Sequence, residues 1–336
     1  MTSKDNFEFA HEHRREVAWM SQNTNTLPVH PSILEAIRTS ADEREFNLYP
    51  PKAGIFGLSD AIREDLGLDD ADMILTNGGI EGEYIATRAL LKAGDEALST
   101  DPSFLPLESI TPATKMLLAI DPNNPLGSGY SRSQIKGLAD IARDHGLWLM
   151  DDITYRDFNA DHVLATDFYP EKTLLSYSFS KAPGLAGLRI GAIIGPPDAI
   201  KSLRRFDTNV LGVNVLAQCA ALAALQSKKE WLPGIRRICA KNQETIRHTV
   251  AKVDGASLPV FPSKANMFVI DLAPTGVKPE VVEERLLFDH LVHTRAGSYL
   301  SKKHGGEFLR VSFTVSEADC KRFADSFPAV MDKLAK

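Results

Sequence analysis

The chain has very few cysteines: Cys219, Cys239 and Cys320 are all that 336 residues contain. They are odd in number, widely spaced and form no C-x-x-C pair, which excludes a disulfide framework and a zinc site of that spacing. No metal is expected, and a reducing, cytoplasmic setting is. No stretch of 18 apolar residues occurs, so no transmembrane helix or membrane partner is expected. The opening stretch, "MTSKDNFEFAHEHRREVAW", is charged and lacks the apolar core of a secretory leader. A strong charge of one sign is also missing. The 38 Lys and Arg against 44 Asp and Glu leave a net charge of -6, which argues against a nucleic-acid partner. There is no internal repeat and no low-complexity tract.

What remains is the composition of a globular protein, 43% hydrophobic and 24% charged. Its length calls for about two domains. Four short apolar runs, "TKMLLAI" (114–120), "LWLMD" (147–151), "TLLSYS" (173–178) and "RIGAIIG" (189–195), predict strands covered on both faces. A helix is predicted over 132–146, with Ile135, Leu138 and Ile141 at helical spacing and Gly146 at its stop. Alternating strands and helices imply an α/β domain with a mainly parallel sheet. The last third reads as α+β. It has a long amphipathic helix over about 232–253, a strand at 266–272 and a helix at 278–290. Two strands follow near "LVHTR" and "EFLRVSF", and a final helix is capped by Ser316 with Asp319. The expected division is a large domain over 40–240 and a smaller one built from 1–39 and 241–336, with the N-terminal segment packed against the latter.

Within this frame, "SFSKAPGLAGLRIGAIIG" (178–195) places a single lysine, Lys181, among small and hydroxylated residues. Burying an ammonium is costly. A desolvated lysine near other cations has a lowered pKa and can act as a nucleophile. Arg189 could hold an anion nearby, while Gly184 and Gly187 permit close approach. Composition alone leaves a glycine-rich turn with an exposed lysine as an even alternative. "DPNNPLG" (121–127) has turn chemistry and follows a predicted strand, at whose carboxyl end an asparagine can reach a ligand. "LMDDITY" ends a strand on Asp151 and Asp152, with Tyr155 close behind; a carboxylate there can keep a pyridine nitrogen protonated, or simply cap a helix. "TNGGIEGEY" puts Gly78 and Gly79 at a helix start, where backbone N–H groups can cradle a phosphate.

In this order and spacing, the stretches resemble class I/II pyridoxal-phosphate aminotransferases of fold type I, over about Asn23 to Arg310. "SFSKAPGLAGLRIG" is similar to that family's lysine signature, "DDITY" to its Asp-x-x-Tyr strand end and "DPNNPLG" to its asparagine–proline turn. The resemblance implies pyridoxal 5'-phosphate as cofactor. It implies that Lys181 forms the internal Schiff base and moves the substrate proton, and that Asp152 pairs with the pyridine nitrogen. Asn124 and Tyr155 would bond the phenolic oxygen. Arg189, Ser178, Ser180 and the amides of Gly79, Ile80 and Glu81 would take the phosphate. Phe104 would stack on the ring, with core filling as its alternative. Tyr49 would reach the phosphate of a neighbouring subunit, which implies a homodimer with shared sites; an ordinary turn before Pro50 and Pro51 competes. Arg310 would grip the substrate α-carboxylate, and Asn23 would line the substrate pocket.

"GGIEGEYIATRALLKAGD" and "SKAPGLAGLRIG" lean towards the histidinol-phosphate aminotransferase branch, in which Arg295 would meet a distal substrate anion. Two departures stand out. Thr24 replaces an acidic residue in "QNTNTLP", which bears against histidinol phosphate as substrate. Asp121 and Leu126 replace an asparagine and a threonine in the turn, where Asn124 is kept. The expected activity is transfer of an amino group from an amino acid or amino phosphate to a 2-oxo acid. A decarboxylase or lyase on the same scaffold, like the threonine-phosphate decarboxylases, is the alternative. A regulatory module on this fold would carry an N-terminal DNA-binding domain, for which the stretch before Asn23 is too short.

Overall fold

A computed structural model of the chain describes residues 3–101 and 113–335. Phe104, expected to stack on the ring, lies outside them. The apolar runs form one six-stranded sheet. Its strands are β2 (Asp72–Thr76), β3 (Glu96–Leu98), β4 (Thr114–Ile120), β5 (Trp148–Asp152), β6 (Thr173–Ser178) and β7 (Gly191–Gly195), in the order β2-β7-β6-β5-β4-β3. The pairs from β6 to β3 are parallel, whereas β7 runs antiparallel to both its neighbours. The fold is α/β with a mainly parallel sheet, as expected.

The near-continuous apolar strands follow from cover on both faces. Successive residues alternate between them: Leu175 and Ile194 enter one core, Leu174 and Ile193 the other. Helices α2 (Pro31–Asp42), α3 (Leu58–Leu66) and α7 (Val215–Gln226) cover the first face, with Ile33, Ile62 and Ala221 in its core. Helices α4 (Gly79–Leu90) and α6 (Pro197–Leu203) cover the second. The run read as a strand from Arg189 starts two residues later, because Arg189 takes a left-handed conformation, φ +55. Helix α5 (Arg132–Asp144) is capped by Ser131 and Gln134 in a reciprocal pair. Its buried face is Ile135, Ala139 and Ala142, and Ile141 is 50% exposed. The predicted stripe was therefore rotated, because small alanines allow close packing on the sheet.

The remaining elements surround a second core. Strands β8 (Met267–Asp271), β10 (Arg295–Ala296) and β11 (Phe308–Ser312) make an antiparallel sheet, β10-β11-β8. The stretch "LVHTR", expected as one strand, is split: β9 (Val292–His293) pairs in parallel with β1 (Ala18–Trp19), and β10 turns to β11. Helices α8 (Lys228–Val250), α9 (Pro279–His290) and α10 (Glu317–Leu334) cover this sheet. Phe268, Phe313, Phe323 and Phe327 fill the core, joined by Ala18, Met20 and Leu27 from the N-terminal segment. Ser316 caps α10 by accepting from the Asp319 N–H at 3.1 Å. Among the described residues, no helix is long and apolar enough to cross a membrane.

Strands β2, β4, β5 and β6 all end at one edge of the large sheet, where ligands bind in open α/β folds. The four stretches singled out in the sequence follow those ends. Gly191 makes this edge compact: a Cβ there would sit 2.5 Å from the Tyr177 carbonyl oxygen and 2.7 Å from the Gly78 backbone. Only glycine lets β7 run so close to the start of α4.

Candidate active site

The four strand ends enclose a cavity of about 180 Å³. Nine residues expected at the site line it: Gly79, Ile80, Asn124, Asp152, Tyr155, Ser178, Ser180, Lys181 and Arg189. Ile120, Glu83 and Thr154 complete the lining. Other hollows are larger, including one of about 420 Å³ near Leu68 and Pro196, but they gather none of these groups.

The pleat separates the two adjacent aspartates. Asp152 faces the cavity, where its Oδ1 accepts from the Thr154 N–H at 3.0 Å. Burial raises its pKa, against the Thr154 hydrogen bonds and the Lys181 charge. Asp151 faces away and accepts from the Ala165 N–H at 3.0 Å; burial pushes its pKa up to about 7. Asp121 is also turned away. It accepts from the Tyr130 N–H at 2.9 Å, and its Oδ2 lies 3.3 Å from His162 Nε2. Asp121 thus anchors the turn while Asn124 enters the cavity. Gly127, φ +73, anchors the same turn from its other end: its carbonyl accepts from the Lys264 N–H at 2.7 Å, and a Cβ there would collide with Ser263.

Lys181 follows the end of β6 in a turn closed by the Gly184 N–H to the Lys181 carbonyl at 3.1 Å. Its Nζ donates to the Gln22 carbonyl at 3.3 Å and lies 5.7 Å from the centre of the Tyr155 ring. Burial, with the charges of Arg310 and Arg189, brings its pKa down to about 8, against the pull of Asp152. The amine is therefore partly neutral near physiological pH, the condition for nucleophilic attack.

At the start of α4, Gly78 takes φ +84 and Arg189 lies over it. A Cβ on Gly78 would sit 2.4 Å from Arg189 Nη2; one on Gly79 would sit 2.9 Å from Ser176 Oγ. Arg189 donates to the carbonyls of Asn77 at 2.9 Å and Ala186 at 3.1 Å. The amides of Gly79, Ile80 and Glu81 open this helix, and its dipole favours an anion there. The Glu81 side chain leaves the cavity, accepting from the Asn77 N–H at 2.6 Å and from Asn209 Nδ2 at 2.7 Å.

Asn23 joins the two halves of the site. Its Nδ2 donates to Tyr155 Oη at 3.1 Å and to Asn124 Oδ1 at 3.3 Å, and its Oδ1 accepts from Ser312 Oγ at 2.7 Å. It holds φ +53, a conformation asparagine tolerates better than most residues. Arg310 is buried at 5% exposure. It donates through Nη1 to Asn124 Oδ1 at 2.8 Å and through Nη2 to the Ser21 carbonyl. Its Nε has no hydrogen-bond partner. Burial, with Arg295 nearby, lowers its pKa to about 10, so it stays charged at neutral pH.

Arg295 pairs with Arg310 across β10 and β11, which puts both side chains on one face. It packs on the Tyr299 ring at 4.1 Å, and Glu283 lies 3.8 Å from its Nη1. Tyr49 is not brought into the site within one chain; it is 78% exposed.

The cavity fits pyridoxal phosphate on observations of its own. Gly78 and Gly79 form a cradle that any Cβ would fill, under an arginine and at a helix start. Asp152 is a buried carboxylate at a strand end, and Lys181 has a lowered pKa. A mainly parallel α/β fold with a lysine, an aspartate and a phosphate cradle at its strand ends defines a cofactor-dependent enzyme of the pyridoxal-phosphate class.

The comparisons make this specific. Residues 106–327 match the family model "Aminotransferase class I and II", and the chain belongs to that family. An aspartate aminotransferase of Pyrococcus horikoshii is 28% identical over 85% of this chain and 83% of its own. Histidinol-phosphate aminotransferase 2 of Carboxydothermus hydrogenoformans is 26% identical over 83% and 82%. Among solved structures, a double mutant of the Thermus thermophilus aspartate aminotransferase superposes with a TM-score of 0.82. It is 23% identical and covers 98% of this chain and 96% of that one. The protein is a pyridoxal-phosphate-dependent aminotransferase of fold type I.

Three lining residues, Ile120, Glu83 and Thr154, and two backbone carbonyls were missed in the sequence. Glu83 carries a signal in hindsight, four residues after Gly79 and so on the same helix face. Thr154 lies between two residues already named. The carbonyls of Ser21 and Gln22 have no sequence signal, because any residue supplies one.

Proposed function

We propose that the amino donor carries an α-carboxylate held by Arg310 and a second anion, carboxylate or phosphate, that reaches toward Arg295. The cross-strand pair Arg295–Arg310 carries this reading. Two arginines on one face repel unless anions neutralise them; Glu283 neutralises Arg295 only partly, at 3.8 Å. Aspartate, for which a relative is named, carries both an α-carboxylate and a second carboxylate.

In this reading Lys181 carries the cofactor and moves the proton at the substrate Cα. Asp152 holds the proton on the pyridine nitrogen. Asn124 and Tyr155 orient the ring through its phenolic oxygen. Ser178, Ser180, Arg189 and the amides of Gly79, Ile80 and Glu81 hold the phosphate, while Asn23 fixes Asn124 and Tyr155 against the Arg310 strand. The cofactor supplies the electron sink that makes the Cα proton acidic.

Mixing the holoenzyme with aspartate, glutamate, O-phosphoserine or alanine tests the reading. The expected result is loss of the visible absorbance with the dianionic or phosphorylated donors, restored by a 2-oxo acid, and a weak response to alanine. An equal response to alanine, or release of CO₂ without that cycle, would overturn it.

The site is completed, we infer, by a second copy of the chain. Phe46, Leu48, Tyr49 and Phe56 are 57%, 76%, 78% and 98% exposed, beside Val210 and Leu211 at 64% and 55%. Pro50 lies against Gly212, which brings the exposed stretch around Leu48 and Tyr49 next to Val210 and Leu211. Sedimentation is expected to show a dimer, and Tyr49→Ala to weaken cofactor binding without altering the helix content; a monomer that binds cofactor as well as the dimer would overturn this. We propose two units divided by their cores: Ile33 of α2 packs into the large one and Ile235 and Cys239 of α8 into the second around Phe268, which sets the boundaries just before α2 and α8 rather than at 40 and 240. Three free cysteines suit the cytoplasm.

A further inference from the structure

Glu83 is a group the reaction as described does not use. It is 5% exposed and lines the cofactor cavity with Asp152 and Ile120. It lies one helical turn after Gly79, on the face that points down onto the strand ends. Behind it is a tight, mostly apolar gap lined by Met116, Leu118, Met150 and Ala97 with Thr87 and Ser99, which brings no cation to the carboxylate. The Ser176 hydroxyl nearby has no hydrogen-bond partner of ordinary geometry.

We propose that Glu83 is a positioning residue whose neutral carboxyl stands beside Asp152 and holds the single proton the two carboxyl groups share, so that Asp152 keeps its charge. Two carboxylates in one dry site cannot both ionise cheaply. The charged groups around the pair decide which one is neutral. Lys181 acts on Asp152 and stabilises its anion. Arg189 and Arg310 act on Lys181, Arg310 also acts on Tyr155, and no cation acts on Glu83. Burial first, and then the Asp152 charge, push Glu83 up to about 8, with Ser176 pulling the other way. Burial, with both carboxyl groups adding to it, lifts the Tyr155 pKa to about 12 against the pull of Asn23 and Arg310. The proton therefore belongs to Glu83 at neutral pH. Its O–H can then donate toward the Asp152 carboxylate, a charge-assisted bond that favours the anion.

The inference rests on the reading that Asp152 faces the pyridine nitrogen, and the test separates the two. Infrared spectra of the holoenzyme are recorded about two pH units either side of 8. The carboxyl of Asp151, which burial raises to about 7, fades in the same range, so the band is read as the wild-type-minus-variant difference. A protonated-carboxyl difference band that fades as pH rises through this range, against both Glu83→Gln and Glu83→Ala, supports the proposal; no such difference band would overturn it. Asp152→Asn is the second arm. It is expected to change the visible spectrum of the cofactor and to move the fading of the Glu83 band to lower pH, because the repelling charge is gone. A changed visible spectrum with an unmoved band would overturn the pair and leave the site reading standing. An unchanged visible spectrum would overturn the site reading itself.

Discussion

Replacing Lys181 with alanine is expected to lower turnover by about 10⁴-fold or more and to remove the visible absorbance of the holoenzyme. Both effects come from one atom. Lys181 Nζ lies between Asp152, Arg189 and Arg310, and among the described residues no other lysine lines the cavity. The variant should fold. Lys181 is only partly buried, its one hydrogen bond goes to a backbone carbonyl, and the turn that presents it is held by Gly184 and Phe179. Circular dichroism and turnover check this together; a variant that kept both colour and activity would remove Lys181 from the mechanism. A pH dependence follows in the wild type. Only the neutral amine attacks a carbonyl, and the amine without cofactor titrates at about 8 rather than at the usual lysine value. The rate at which apoenzyme takes up cofactor should rise with pH through about 8 and level off above it. Reconstitution followed by absorbance at several pH values measures this. A rate still climbing steeply two units higher would mean that the burial and the two arginines do not lower the amine as described.

Much of this site was legible in the sequence because it lies on local chemistry. Glycine at Gly78 and Gly79 before a helix, aspartates ending a strand and a lysine among small residues each state a backbone requirement or a cost. The strand ends of a parallel sheet collect them without further information. The orientation of neighbours was legible only as a pair: "DD" at 151–152 gave two candidates, and the pleat decided between them. Long-range partners were not legible. His162 beside Asp121 explains how the turn tolerates an acid where the family has an asparagine, yet 41 residues separate the two. Asn23 was expected in the substrate pocket. Its hydrogen bonds to Tyr155, Asn124 and Ser312, distant in sequence and joined only by the fold, could not be read from the chain. The splitting of "LVHTR" was hidden for a similar reason. Periodicity predicts extended chain, but which sheet each half joins depends on β1 and β11. Buried alanines misled the reading of α5, since hydrophobic spacing favours the larger Ile141 over residues that pack more closely.

Arg310→Ala is expected to cost about 2–5 kcal/mol in substrate binding, or a factor of about 30 to several thousand in kcat/KM. A guanidinium has five N–H donors. Arg310 uses one on Asn124 and one on Ser21, which fixes the group while its Nε stays unpartnered. A carboxylate can take two parallel bonds from the remainder, and a lysine ammonium cannot reproduce that fork. Arg310→Lys should therefore recover only part of the loss. The direction of the kinetic change is informative. The α-carboxylate keeps its charge through the reaction, so most of the bond is present in ground and transition states alike and its loss should fall mainly on KM. A smaller fall in kcat is expected, because the same bonds hold the Cα proton in reach of Lys181. The holoenzyme should stay coloured, since Lys181 is kept, but the pH at which the Lys181 amine titrates should rise, because Arg310 is one of the charges that lower it. An amine substrate without an α-carboxylate provides the control: its kcat/KM should respond little to either variant. Equal losses for both substrates would show that Arg310 supports the architecture of Asn124 rather than the substrate.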